Sequence, residues 1–171
     1  MEIKIRTHYD RDALTAMARG LRKTVRRKKS RRSRIVGVVL MVLAFLFGVG
    51  DLILNPGWKA WLDLGVAVVL LLILLTEDRV NGFLAGRKVL PGARDTETVF
   101  TEYDYTTTIQ NAETRWSYES IRAIAEGENF IVLALSDRHA QVFDKRGITA
   151  DTAEELRTLL RDKTGLPVTK M

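Results

Sequence analysis

Residues 35–76 read IVGVVLMVLAFLFGVGDLILNPGWKAWLDLGVAVVLLLILLT, and the interpretation of this stretch settles what kind of protein the chain is. Ile35 to Gly50 carries no charge, and after Asp51 the apolar run resumes as Leu52-Ile53-Leu54. As a helix rising ~1.5 Å per residue, Ile35–Leu54 reaches about 30 Å, the hydrocarbon thickness of a bilayer. Asn55-Pro56-Gly57 then supplies a turn, because proline lacks the amide a helix needs and glycine accepts unusual dihedrals. A second run begins at Trp58, is unbroken from Leu64 to Leu75, and stops at Glu77-Asp78-Arg79. Both runs are apolar on every face, with no polar stripe to offer water, which argues against a buried pair of soluble helices. A secretory signal is disfavoured as well: a charged arm precedes the first run and a second follows it without an Ala-x-Ala site. The expectation is a transmembrane hairpin with spans at residues 35–54 and 58–76, joined by a short extracytoplasmic turn at residues 55–57.

Three charges interrupt this region. Asp51, Lys59 and Asp63 lie within about two helical turns of the loop, so they are expected at the outer interface rather than along an ion path. Lys59 and Asp63 are four apart on one face and able to pair. Trp58 and Trp61 stand where an interfacial aromatic belt is expected.

Working outward, the charge is strongly partitioned. The chain of 171 residues carries a net +6, yet nine Lys/Arg and no acid fall between Arg22 and Arg34, so all other residues together carry −3. From Asp95 onward, 14 acidic residues face 9 basic ones. The loop between the runs offers only Lys59, whereas Arg79, Arg87, Lys88 and Arg94 follow the second run. The positive-inside bias therefore predicts that both ends are cytoplasmic. The collar of Arg22, Lys23, Arg26, Arg27, Lys28, Lys29, Arg31, Arg32 and Arg34 is read as a topology determinant in contact with anionic phospholipid headgroups. Each basic residue near an anionic leaflet is worth about 1 kcal/mol. Nucleic acid is the competing reading, but no aromatics interleave the basic residues and no groove-reading motif surrounds them. Charge complementarity also suggests that the collar docks the acidic tail.

The flanks have their own texture. Ile3, Ile5, Thr7 and Tyr9 alternate as in a short strand, and Leu14, Met17, Ala18 and Leu21 have the spacing of a helix expected to run on into the first span. A lone strand needs a sheet to join, and the only candidate is in the tail. After the second span, Val80 to Leu90 reads as a helical continuation ended by Pro91-Gly92. Val99, Thr101, Tyr103, Tyr105, Thr107 and Ile109 then alternate across Thr98–Gln110, with a kink expected near Tyr103-Asp104. Asn111-Ala112-Glu113 reads as a turn, Thr114–Tyr118 as a strand carrying Trp116, and Ile121–Glu126 as another. Gly127-Glu128-Asn129 turns into the apolar strand Phe130–Leu135, and Ser136-Asp137-Arg138-His139 turns into Ala140–Phe143. A final helix is expected to be capped by Asp151 with Glu154 three residues on. Its buried stripe would be Ala153, Leu156, Leu159 and Leu160, with Gly165 and Pro167 as its stop. Strands followed by one helix suggest a small antiparallel sheet or partly open barrel of pleckstrin-homology-like kind over residues 97–171. Residues 1–34 form an N-terminal strand and basic helix, and residues 77–96 a juxtamembrane helix and linker.

The order of elements resembles the YcxB-like family of bacterial membrane proteins. The resemblance rests on Val99-Phe100-Thr101-Glu102-Tyr103-Asp104-Tyr105, Arg115-Trp116-Ser117-Tyr118-Glu119-Ser120-Ile121 and Phe130-Ile131-Val132-Leu133. It continues through Val142-Phe143-Asp144-Lys145-Arg146-Gly147 and Ala153-Glu154-Glu155-Leu156-Arg157. Asp144 departs from the pattern, where an apolar residue or proline is expected. The resemblance implies an α-helical hairpin in the bacterial plasma membrane with an α+β cytoplasmic domain. It supplies no catalytic residues.

The residues themselves point away from enzymology. There is no cysteine, and no phosphate-binding glycine loop, His-Glu-x-x-His or Gly-x-Ser-x-Gly motif. No catalytic residue, cofactor or metal site is expected. His8 reads as a surface strand residue, Asp137-Arg138-His139 as a hairpin turn, and Trp116 as a core anchor. Lys145-Arg146 follows a strand end, where it reads either as a contact for phosphate headgroups or as a solvated strand terminus. The expected function is that of a membrane-tethered binding, sensing or scaffold module, with a protein partner of the cytoplasmic domain as a further expectation. The alternatives are an accessory subunit of a membrane enzyme or transport complex, and a membrane-anchored nucleic-acid binder. Ala44-x-x-x-Gly48 offers a small-residue contact for helix association, which leaves the oligomeric state open.

Overall fold

The computed structural model describes residues 2–87, 94–110 and 112–171. It divides into two compact units, Lys28–Glu77 and Met1–Arg27 with Asp78–Met171.

The first unit is built from α2 (Arg27–Leu54) and the part of α3 (Trp58–Gly86) up to Glu77, both helices being long and apolar enough to cross a membrane. They meet through small residues. A Cβ on Gly48 would lie 2.8 Å from Leu64 Cγ, and one on Gly37 would lie 3.1 Å from Leu74 Cδ2. Gly48 of the Ala44-x-x-x-Gly48 pair is therefore used inside the hairpin, where the missing side chain lets the helices approach. Ala60 and Ala67 are buried as well, while most of the large apolar side chains point outward: Phe47, Leu54 and Trp58 are 66%, 77% and 77% exposed. Lys59 pairs across the turn with Asp51 at 3.5 Å rather than with Asp63 along its own helix. At the other end, Arg34 donates to the Leu74 carbonyl at 3.0 Å and pairs with Glu77 at 3.2 Å.

The second unit is α+β. Its first sheet has the order β1 (Ile3–His8), β2 (Asp95–Phe100), β3 (Asp104–Ile109), β4 (Ala112–Ser117), all antiparallel. Its second has the order β7 (Ala140–Asp144), β6 (Phe130–Ala134), β5 (Ala123–Glu126), β8 (Val168–Lys170), with β8 parallel to β5. The N-terminal strand thus joins the tail. Arg6 pairs with Glu97 opposite it at 2.8 Å, joined by Lys4, and His8 Nδ1 lies 2.6 Å from Asp95 Oδ1.

The pleat decides the core. Ile3, Phe100, Tyr105 and Trp116 form one row across the four strands of the first sheet, and Tyr105 stacks on both Phe100 and Trp116. This row packs with Ile124, Ile131, Leu133 and Phe143 of the second sheet and with Leu156 and Leu160 of α4 (Ala150–Thr164). The opposite face of the second sheet, with Ala125, Val132 and Val142, packs against Ala13 of α1 (Arg11–Lys23). Gly20 of α1 sits directly over Val132, only 2.8 Å from where its Cβ would stand. All five residues of β6 are buried because its two faces serve these two clusters.

Several expectations change. Thr98–Gln110 is a hairpin rather than one kinked strand, turning at residues 101–103, where Tyr118 OH donates to the Thr101 carbonyl at 2.6 Å. The inward residues of β2 are Thr96, Thr98 and Phe100, so Val99 lies on the other face. Ala112 and Glu113 belong to β4, and the left-handed residue of that turn is Gln110, with φ 53°; Asn111 lies outside the described residues. Residues 118–120 form a short 3₁₀ turn instead of extending the strand. The helix α4 is capped by Thr149, whose Oγ1 accepts from Thr152 N at 3.2 Å, so Asp151 stands in the first turn. Gly165, with φ 65°, ends it, and β8 follows unannounced by its sequence.

The helix α1 does not run into the first span. Thr24 turns back through its amide and hydroxyl onto the Gly20 carbonyl, at 3.1 and 2.7 Å, and a new helix starts at Arg27. The continuation of α3 reaches Gly86; Lys88 to Leu90 and Pro91-Gly92 lie outside the described residues. Its end lies against α1, where a Cβ on Gly82 would be 2.8 Å from the Thr15 amide nitrogen. Backbone cannot swing aside as a flexible side chain can, so Gly82→Ala must part the two helices. We expect it to destabilise the unit by about 1–3 kcal/mol, read as a lowered melting temperature of the full chain in neutral detergent, whereas Gly50→Ala, which meets nothing within 4 Å, should leave it unchanged.

Candidate functional site

The polar face of α1 places Arg11, Thr15 and Arg19 at intervals of four, opposite the buried Ala13, Leu14 and Leu21. Arg79 and Phe83 share a face of α3 by the same spacing. These two stripes, the Gly127–Phe130 turn between β5 and β6, and Arg146 after β7 enclose a cavity of about 680 Å³. Four arginines line it, against the carboxylates of Asp12 and Glu128.

The four guanidinium groups are held differently. Arg146 is fixed: it binds Asp144 bidentately at 2.6 and 2.9 Å, and its Cζ lies 5.2 Å from the centre of the Phe130 ring. Arg19 is held loosely, with Nε 3.4 Å from Asp78 Oδ2, because Arg22 takes the same carboxylate bidentately at 2.6 and 2.7 Å. Arg11 and Arg79 are exposed and have no ion pair among the described residues. A cavity with two committed and two uncommitted guanidinium groups is suited to an anion, since planar forks of N–H donors match phosphate and carboxylate oxygens.

The wall formed by the Gly127 turn is positioned by Glu126. Its carboxylate accepts from Arg157 Nη2 and Nε at 2.7 and 2.8 Å and from Lys145 Nζ at 2.7 Å, tying β5 to α4 and to the segment after β7. The bonds from Arg157, joined by those from Lys145, outweigh the effect of burial and hold the Glu126 carboxyl down to about 2. Lys145 N also donates to the Asn129 carbonyl at 2.8 Å. Lys145 is therefore drawn inward, and Arg146 beside it is the one that faces the cavity.

The collar is brought together only in part. Arg22 and Lys23 end α1, Arg26 lies in the break, and Arg27, Lys28, Lys29, Arg31, Arg32 and Arg34 begin α2. Arg22 and Arg34 are engaged by Asp78 and Glu77, the two carboxylates that close the second apolar run, so their partners lie in α3 rather than in the acidic tail. Arg27, Lys28, Lys29, Arg31 and Arg32 are exposed. The Lys145-Arg146 pair splits, since Lys145 is occupied by Glu126. Asp144, the residue out of pattern, is the partner of Arg146 and accepts from its amide at 2.9 Å. Asp137-Arg138-His139 is the turn between β6 and β7, where Ser136 Oγ accepts from His139 N at 3.0 Å. Trp116 is half-buried on the core cluster. Arg11 and Arg19 were not singled out by their sequence, although their spacing on the polar face of α1 was available.

Residues 100–160 match the family model described as YcxB-like protein, from the end of β2 to Leu160 of α4. No curated protein matches the chain.

Because its folded carboxyl is depressed from 4.5 to about 2, Glu126 contributes stability that is present above pH 4.5 and is lost as pH falls toward 2. Glu126→Gln removes the carboxylate that Lys145 and Arg157 share and leaves Arg157 only its pair with Glu154. It should cost about 2 kcal/mol at pH 7 and flatten the loss of stability between pH 4.5 and 2, both read from thermal unfolding of the full chain across that range.

Proposed function

We propose that this chain, whose tail carries the YcxB-like segment, is a membrane-anchored binding module that takes an anionic ligand into its arginine-lined cavity. The observation that carries the reading is the convergence of Arg11, Arg19, Arg79 and Arg146 on one cavity, with Arg11 and Arg79 in no ion pair among the described residues. The outward-facing apolar side chains of α2 and α3 support bilayer insertion, since such a surface in water would be a large exposed apolar patch. The basic excess on both flanks supports a plasma-membrane hairpin with both ends cytoplasmic, the exposed collar residues resting against anionic headgroups. Two four-stranded sheets with α4 packed on their shared core support a pleckstrin-homology-like layout for the cytoplasmic domain.

The topology is open to a simple test because the chain has no cysteine. A single cysteine at Asn55 should react with an impermeant maleimide added to intact cells. One at Arg138 should react only after permeabilisation, and the reverse pattern would refute the orientation.

The ligand reading is tested on the full chain in neutral detergent. Inorganic phosphate, glycerol 3-phosphate and dihexanoyl phosphatidylglycerol are each added against chloride of equal ionic strength. At least one should raise the melting temperature by about 3 °C or more, and the double variant Arg11→Gln/Arg79→Gln should abolish the rise. If none of the three stabilises the protein in an arginine-dependent way, the cavity is not an anion site.

A further inference from the structure

The helix α3 does not become polar where its charges begin. Beyond Glu77-Asp78-Arg79 it still shows Val80, Phe83 and Leu84 to the outside, 50%, 48% and 49% exposed. Positions 80, 83 and 84 fall on one helical face, so they form a short apolar ridge. Phe83 belongs to that ridge and to the cavity wall at once, and Arg79 stands one turn before it on the same side. An arginine-lined cavity whose rim carries an exposed apolar ridge is amphipathic in the manner of a lipid: charge for a headgroup, hydrocarbon beside it for an acyl chain. Inorganic phosphate would have no use for the ridge.

From this juxtaposition we infer that the cavity takes the phosphodiester headgroup of an anionic phospholipid from the bilayer in which the chain is anchored. In this reading Arg11 and Arg79 bind the phosphate oxygens, Arg19 turns from its long contact with Asp78 to join them, and Phe83 lies against the glycerol and the upper acyl chain. Arg146, committed to Asp144, sets the far wall. The inference rests on reading the cavity as an anion site and adds where the anion comes from. It also separates two kinds of lipid contact. The collar would attract anionic lipid diffusely, through exposed lysines and arginines, whereas the cavity would hold a single headgroup with its phosphate enclosed.

The experiment uses the full chain in nanodiscs of phosphatidylcholine alone or with phosphatidylglycerol, followed by amide exchange of the Arg11–Arg19 segment. Phosphatidylglycerol should slow exchange there by about fivefold or more. The Arg11→Gln/Arg79→Gln variant should lose that protection while its melting temperature in pure phosphatidylcholine matches the parent. Neutralising Lys28, Lys29, Arg31 and Arg32 should leave the protection in place. Glycerophosphoglycerol, the deacylated headgroup, added at millimolar concentration to phosphatidylcholine discs should protect far less, and Phe83→Ser should narrow that gap. Equal protection by the deacylated headgroup would overturn the lipid assignment and leave the anion site standing. Protection by neither would overturn both. Protection that survives in Arg11→Gln/Arg79→Gln but vanishes with the collar charges would assign the effect to the collar and refute the cavity.

Discussion

Asp78 is the hinge of the structure's electrostatics. It is the second carboxylate after the apolar run, and its side chain is only 14% exposed, a position that demands partners. Arg22 meets it bidentately from the end of α1, and Arg19 approaches from one turn earlier. This clamp, together with the close backbone approach at Gly82 and Thr15, fixes α1 against the end of α3. The helical half of the site follows from that pairing. The Arg22–Asp78 pair and the Gly82–Thr15 contact together hold the polar stripe of α1 beside Arg79 and Phe83. Arg19 retains donors for the cavity only because its share of the carboxylate is the weaker one.

The sheets build the other half of the site by a similar division of labour. One face of the second sheet is sealed by the aromatic row Phe100–Tyr105–Trp116 and by α4, the other by α1, so β6 has no solvent face to spend on polar residues. The polar work falls to the ends of the strands. Glu126 at the end of β5 gathers Lys145 and Arg157, and Asp144 at the end of β7 gathers Arg146. Adjacent residues in the chain are thus sent to different tasks, one to hold the turn and one to line the cavity. Where two basic neighbours stand at a strand end, the acid that each finds decides which remains near solvent.

Much of this was legible in the chain. The hairpin, its turn at Asn55-Pro56-Gly57 and the helix after Ala150 follow from local patterns that no tertiary contact reverses. The apolar core strand at Phe130 was clear for the same reason. The misreadings share a cause. Alternation from Val99 to Ile109 looked like one strand because a two-strand hairpin with a short turn preserves the two-residue period on either side of the break. The spacing of Lys59 and Asp63 allows a pair along the helix, whereas the turn brings Asp51 within reach. Thr149 rather than Asp151 caps α4, a choice of two residues that composition alone does not make.

What the sequence determined by itself was everything set by runs and periods: two apolar helices, a basic flank, a β-rich tail and a closing helix, because hydrophobic transfer and backbone geometry act on neighbours in the chain. What only the tertiary structure decided was which charges are spent and which are spare. Nine collar residues drew the eye, yet Arg22 and Arg34 are consumed by Asp78 and Glu77, and the cavity is lined instead by Arg11, Arg19, Arg79 and Arg146. These four come from three separate stretches of the chain, α1, α3 and the segment after β7, and α1 meets α3 because Gly82 lets the two helices touch and because a carboxylate held away from water takes the nearest fork of donors. A pairing of that kind depends on distance in space, which no spacing along the chain encodes.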